Sequence, residues 1–207
     1  MYNPPAFAES RPEELQEIMR AASLPVLVSQ TRAGLIATHL PLYFVAPDRL
    51  IGHVAKANPH WQAFDPQIES LAIFTAVDGY VSPSWYATKA EHGKVVPTWN
   101  YQAVHATGRL EILEDPAPVL EIVTHLTNKY EAPRAAPWSV SDAPEEYLAA
   151  QLKGIVGLVL HISKLEGKAK LSQNKSKADQ AGVLAGAAAE NPPLAAAMRR
   201  AQTQGSE

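Results

Sequence analysis

The 207-residue chain contains no cysteine, which excludes disulfides, thiolate metal sites and a cysteine nucleophile. No stretch reaches the roughly 18 consecutive apolar residues of a membrane helix. The start, MYNPPAFAESRPEE, lacks the basic region and apolar core of a signal peptide, so a soluble cytoplasmic protein is expected. There is no excess of positive charge: 18 basic residues stand against 21 acidic ones, a net charge of −3. No global field therefore draws the chain to nucleic acid or anionic lipid. Phosphate-cradling Gly-x-Gly-x-x-Gly and Walker loops are missing, as are a Gly-x-Ser-x-Gly nucleophile elbow and a clear helix-turn-helix. What remains is a globular balance of 46% apolar and 19% charged residues, enough to build a core.

Seventeen prolines punctuate the chain, because proline lacks the N–H that helix interiors and central strands need. Ser10 and Glu13 have capping-box spacing, and Leu15, Ile18, Met19 and Ala22 form a helical apolar face. Val26–Gln30 reads as a strand with Leu35–Val45 as its hairpin partner, bent near Pro41, and Arg49–Val54 as a third strand. Glu69–Thr75 and Gly79–Ser82 read as two strands joined at Ala76-Val77-Asp78. Tyr101–Ile112 alternates strictly, with Gln102, Val104, Ala106 and Leu110 on one face and Gly108 as a bulge or bend. Ala117–Asn128 and Glu145–Lys153 read as helices, and Ile155–Ile162 as an apolar strand. The whole predicts a mainly β (α+β) fold: an antiparallel barrel with attached helices.

Five segments are too polar and aromatic for simple connectors. They are Thr38-His39-Leu40-Pro41, Gly52 to Trp61, Ser82-Pro83-Ser84-Trp85-Tyr86, Val96 to Tyr101, and the loop Gly167 to Lys175. The fragments ATHLP, GHVAKANPHW, YVSPSWY, VPTWNYQAVHATG, IVGLVLHI and LEGKAKLSQNK, in this order, resemble the PaiB family of FMN-binding transcriptional regulators over about residues 1–186. The resemblance implies a homodimeric split β-barrel of the FMN-binding type, related to pyridoxamine phosphate oxidase, with FMN between subunits. The residues themselves predict a domain over 1–186 with a helical insertion at about 115–152, followed by an alanine-rich helical or flexible arm over 187–207 that Asn191-Pro192-Pro193 divides.

The candidate FMN-binding residues follow from those segments: Thr38, His39, His53, Lys56, Asn58, Ser82, Ser84, Trp85, Tyr86, Thr98, Trp99, Asn100, Lys168, Lys170, Ser172, Gln173 and Asn174. Cations and hydroxyls suit a phosphate dianion, and an aromatic wall suits the ring. Lys170 and Ser172 are the first candidates for the phosphate, with Lys56 and Ser82 behind them. Each residue also has a plainer role open to it. Trp85 and Trp99 fit a core or an interface, His39 and His53 fit half-buried strand histidines, and the lysine loop fits a solvated cap. Three functions stay open: a regulator that uses its flavin as a sensor, a flavin-dependent oxidoreductase on the same barrel, and a haem-binding or haem-degrading barrel with His39, His53, His105 or His161 as axial ligand. The only basic clusters, Lys164 to Lys177 and Arg199-Arg200, make direct DNA binding doubtful.

Overall fold

A computed structural model describes residues 1–204 of the chain. Strands β1 (Ala8–Glu9), β2 (Val26–Thr31), β3 (Gly34–His39), β4 (Tyr43–Val45), β5 (Arg49–Ala55), β6 (Ser70–Val81), β7 (Thr98–Leu113) and β8 (Ile155–Lys170) form one sheet. Its order is β3-β2-β6-β7-β8-β5-β4, with β1 paired to β8. The helices are α1 (Pro12–Ala21), α2 (His60–Ala63), α3 (Thr88–His92), α4 (Pro116–Glu131), α5 (Glu145–Leu152), α6 (Lys177–Glu190) and α7 (Pro192–Gln204). Among the described residues no helix is long and apolar enough to cross a membrane.

Two compact units share the long strands β6, β7 and β8. The first takes Met1–Ala22, Phe74–Val104 and the chain from Glu166 onward; the second takes Ser23–Ile73 and His105–Leu165. In the second unit, β2 and β3 form the expected hairpin, from Val26↔His39 to Thr31↔Gly34. Its core joins Ile51 and Val159 to Ile122 and Leu126 of α4. In the first unit, Val81, Tyr86, Ala169 and Leu171 pack with Val183 and Ala187 of α6 and with Leu194 and Met198 of α7.

Four local expectations change. The first helix is capped without the Ser10–Glu13 box: Arg11 is its N-cap, and Arg11 N–H donates to Glu9 Oε1 at 3.0 Å. Leu35–Val45 is not one bent strand. Leu40 and Leu42 are buried around Pro41, and the chain leaves β3 to form β4 beside β5. Ala76-Val77-Asp78 is no turn, because β6 runs unbroken through it; only the burial phase slips, from even positions Ser70, Ala72 and Phe74 to odd positions Gly79 and Val81. Gly167 to Lys170 is strand rather than loop: it continues β8, which neighbours β7 in the sheet, and β1 pairs with Gly167 and Lys168, so tertiary pairing overrides weak propensity. Beyond these, the alanine-rich tail expected as a helical or flexible arm is helical, in α6 up to Glu190 and in α7 from Pro192. Asn191 Oδ1 accepts the Leu194 N–H at 3.2 Å, and Leu194, Ala195, Ala197 and Met198 are buried. Residues 205–207 of that reading lie outside the described residues.

Candidate functional site

The candidate residues divide between the units. In the second unit, His60 is 1% exposed and anchors a polar chain. His60 Nδ1 lies 2.8 Å from Thr38 Oγ1, and Asn58 Nδ2 donates to the same hydroxyl at 3.3 Å. His60 Nε2 lies 2.8 Å from Ser29 Oγ, which is 2.7 Å from Ser70 Oγ. Asn58 Oδ1 accepts the His60 backbone N–H at 2.9 Å. This chain ties the Lys56–Trp61 segment to β2 and β3. Trp61 adds a hydrogen bond from Nε1 to the Lys56 carbonyl at 3.0 Å, which leaves Lys56 exposed on a fixed turn. His53, on β5, is half-buried, and its Nδ1 is buried without a hydrogen-bond partner. His39 is exposed at the end of β3.

Burial holds both His53 and His60 below the ordinary histidine pKa, because a low-dielectric setting disfavours the imidazolium. The unfolded chain therefore binds protons that the native state refuses. Native stability is complete above the unfolded value of about 6.5 and declines as pH falls through it, by up to about 1.4 kcal/mol per pH unit for each such group. Urea midpoints are expected to fall between pH 7.5 and pH 5; a constant midpoint would contradict this.

In the first unit, neighbouring strands β7 and β8 bring Thr98, Trp99 and Asn100 beside Lys170 and Ser172. Lys170 Nζ donates to Thr98 Oγ1 at 2.5 Å and to the Trp99 carbonyl at 2.7 Å. Burial pushes its pKa down; Lys168 and Lys175 push the same way, against the pull of Tyr101. Lys168 is 6% exposed. Its ammonium donates to the Tyr2 carbonyl at 2.9 Å and lies 5.2 Å and 5.3 Å from the ring centres of Tyr2 and Tyr101. Lys175 sits 5.1 Å from the ring centre of Tyr86, whose own hydroxyl is buried without a partner. Among the described residues, Lys168 and Lys170 form no salt bridge with a carboxylate, whereas the charge of Lys175 acts on Asp179. Trp99 is 55% exposed and meets Tyr80 edge-on, with ring centres 6.1 Å apart.

Several other candidates bond within the protein. Ser172 is buried and shares two hydrogen bonds with Asn100, at 2.9 and 3.2 Å. Gln173 spans the Leu171 N–H and the Ala169 carbonyl. Asn174 is exposed just beyond β8. Ser82 accepts the Ser84 N–H at 3.2 Å, and Ser84 Oγ takes a hydrogen bond from Lys89 at 3.1 Å. The Trp85 ring lies flat on α6: a Cβ at Gly186 would fall 2.3 Å from its Cδ2. Of the proposed haem ligands, His161 is exposed and its Nε2 lies 2.6 Å from Glu111 Oε2. His60 lies inside the segment Gly52 to Trp61 but is not among the candidate residues, nor are Ser29, Ser70, Tyr2 and Tyr80. No local pattern marked them, since their roles arise from strand pairing.

Known proteins resemble this chain in sequence and fold. The family described as "Putative FMN-binding domain" matches residues 1–164. The chain is 35% identical over 187 residues to the protease synthase and sporulation protein PAI 2 of Bacillus subtilis, covering 89% of this chain and 87% of that one. Among solved structures, the FAD and heme binding protein from Mycobacterium smegmatis superposes with a TM-score of 0.58 at 16% identity, over 79% of this chain and 73% of that one. The flavocytochrome Anf3 from Azotobacter vinelandii gives 0.57 at 17% identity, over 79% and 69%. These two likenesses show the fold, an antiparallel split β-barrel with attached helices. The chain belongs to the PaiB-type FMN-binding family, and its cofactor is FMN.

Proposed function

We propose that this protein is a homodimeric, flavin-responsive regulator of the PaiB type that acts without reading DNA bases itself. The observation that carries this reading is the inward turn of the lysines on and after β8. Lys168 and Lys170 spend their ammonium groups on carbonyls, a hydroxyl and aromatic faces, not on an outward basic face of the kind that tracks a phosphate backbone. A buried cation without a carboxylate calls for an anion, and a phosphate dianion answers it.

The residues present fit FMN. Lys170, with Lys168 behind it, would hold the phosphate, and Thr98 would orient the Lys170 ammonium. Trp99 and Tyr80 offer an aromatic edge to the ring. In the other unit, the unpartnered His53 Nδ1 and the exposed Lys56 offer polar contacts. Bound FMN supplies a redox-active ring, whose oxidation state is the signal in this reading. Relatedness to a sporulation and protease-synthesis protein supports a regulatory role over a metabolic one. The exposed apolar groups Val96 (70%), Trp99 (55%) and Tyr80 (49%) support a partner surface, a second copy of the chain.

Light scattering on the FMN-loaded protein is expected to give the mass of two 22.4 kDa chains. Gel-shift selection from a random-sequence duplex pool at physiological salt is expected to enrich no site. A monomer at micromolar concentration would contradict the dimer, and a nanomolar, sequence-selective shift by the protein alone would contradict the indirect mode of regulation.

A further inference from the structure

We propose that Thr38 is an obligate hydrogen-bond donor toward the flavin, set in that role by His60 in its Nδ1–H tautomer, and that it takes an acceptor oxygen of the ligand. The inference rests on the reading that the Thr38 segment serves FMN.

The direction of the buried hydrogen-bond chain decides the matter. Ser70 and Ser29 are 1% and 2% exposed, and a buried hydroxyl proton without an acceptor costs about 1–3 kcal/mol. The one described partner of the Ser70 hydroxyl is Ser29 Oγ, at 2.7 Å. Ser70 therefore donates to Ser29. The Ser29 proton then goes to its other neighbour, His60 Nε2, at 2.8 Å. An imidazole that accepts at Nε2 carries its proton on Nδ1 when neutral, and burial keeps His60 on the neutral side. Nδ1–H donates to Thr38 Oγ1, at 2.8 Å.

Asn58 fills the remaining site on Thr38. Its Oδ1 is held by the His60 backbone N–H, which fixes the amide orientation and turns Nδ2 toward Thr38 Oγ1. An amide nitrogen only donates. Both lone pairs of the Thr38 hydroxyl are then occupied, and its proton has no described acceptor. The opposite direction would strand a proton on Ser70, which is buried, whereas this one leaves it on Thr38, which is half-buried. A hydroxyl so arranged refuses N–H and O–H groups and accepts a phosphate oxygen or a ring carbonyl as its partner.

Two measurements test this. In nitrogen-15 correlation spectra of the labelled protein, His60 is expected as the neutral Nδ1–H tautomer; the Nε2–H form would overturn the proposal, whatever the protein binds. Thr38→Val, close to isosteric but without the hydroxyl, is expected to weaken FMN binding roughly three- to thirtyfold, with Thr38→Ser restoring it. Equal weakening of FMN and riboflavin assigns a ring carbonyl, and weakening of FMN alone assigns the phosphate. Unchanged FMN affinity in a folded Thr38→Val protein would overturn the donor role. Failure of the wild-type protein to bind FMN would instead overturn the reading beneath it, and the tautomer would still be read.

Discussion

Lys170→Ala is expected to weaken FMN binding ten- to a hundredfold while the protein stays folded. A phosphate dianion in a partly buried site needs a cation, and a hydrogen bond to a charged group contributes about 1.5–3 kcal/mol, which gives that range in affinity. Lys170 meets the requirement by geometry. Thr98 and the Trp99 carbonyl hold its ammonium in place, no carboxylate competes for it among the described residues, and burial already works against its charge. A bound dianion relieves that last effect, so the protein loses little when an empty Lys170 is replaced. Lys177 is the control. It is exposed at the start of α6, and Lys177→Ala is expected to leave affinity unchanged. Fluorescence titration of FMN against the two variants checks both statements; equal affinities would remove Lys170 from the phosphate.

The second large effect concerns the scaffold. Gly108→Ala is expected to destabilise the protein by about 3 kcal/mol, at the upper end of overpacking costs. That corresponds to a fall in melting temperature of about 6–12 °C for a chain of this size. A Cβ at position 108 would lie 2.0 Å from the His161 carbonyl oxygen, 2.7 Å from its carbon and 3.0 Å from the Ile162 Cα. All three are backbone atoms of β8, so no side chain can swing aside and the strands themselves must part. Gly154→Ala, whose Cβ would meet only the Gln151 carbonyl at 3.3 Å, is expected to cost far less. Thermal unfolding of both variants checks the contrast, and a loss below about 2 °C in Gly108→Ala would contradict it.

Gly108 also shows how far the sequence could be read. Its strand was legible, because Gln102, Val104, Ala106 and Leu110 alternate and all four are buried. The glycine stood out, yet its cause did not: the sequence suggested a bend, whereas the structure gives a close approach by a strand some fifty residues away. The same limit explains β8. Ile155–Ile162 announced itself by apolar content, but Gly167-Lys168-Ala169-Lys170 carries little strand propensity and is strand as the continuation of β8, with β1 paired to its first two residues. Lys170 was therefore picked out for its charge and misplaced in a loop. Ser172 was chosen for its hydroxyl, and nothing local reveals that Asn100, seventy-two positions away, engages it. His60 went the other way. Its neighbours Asn58 and Thr38 were singled out, while the buried imidazole that organises them became visible only when β2, β3 and β6 were brought together. Trp85 illustrates the ambiguity of aromatics, since an exposed wall and a helix contact read alike until Gly186 is seen beneath the ring.

The central claim is that this chain recognises its flavin through the phosphate, by lysines that carry no carboxylate partner. Parallel titration of the flavin-free protein with FMN and with riboflavin tests it most directly, because the two ligands differ only in that dianion. FMN is expected to bind at least about tenfold more tightly, with an advantage that shrinks in Lys170→Ala. Riboflavin binding as tightly as FMN would contradict the account.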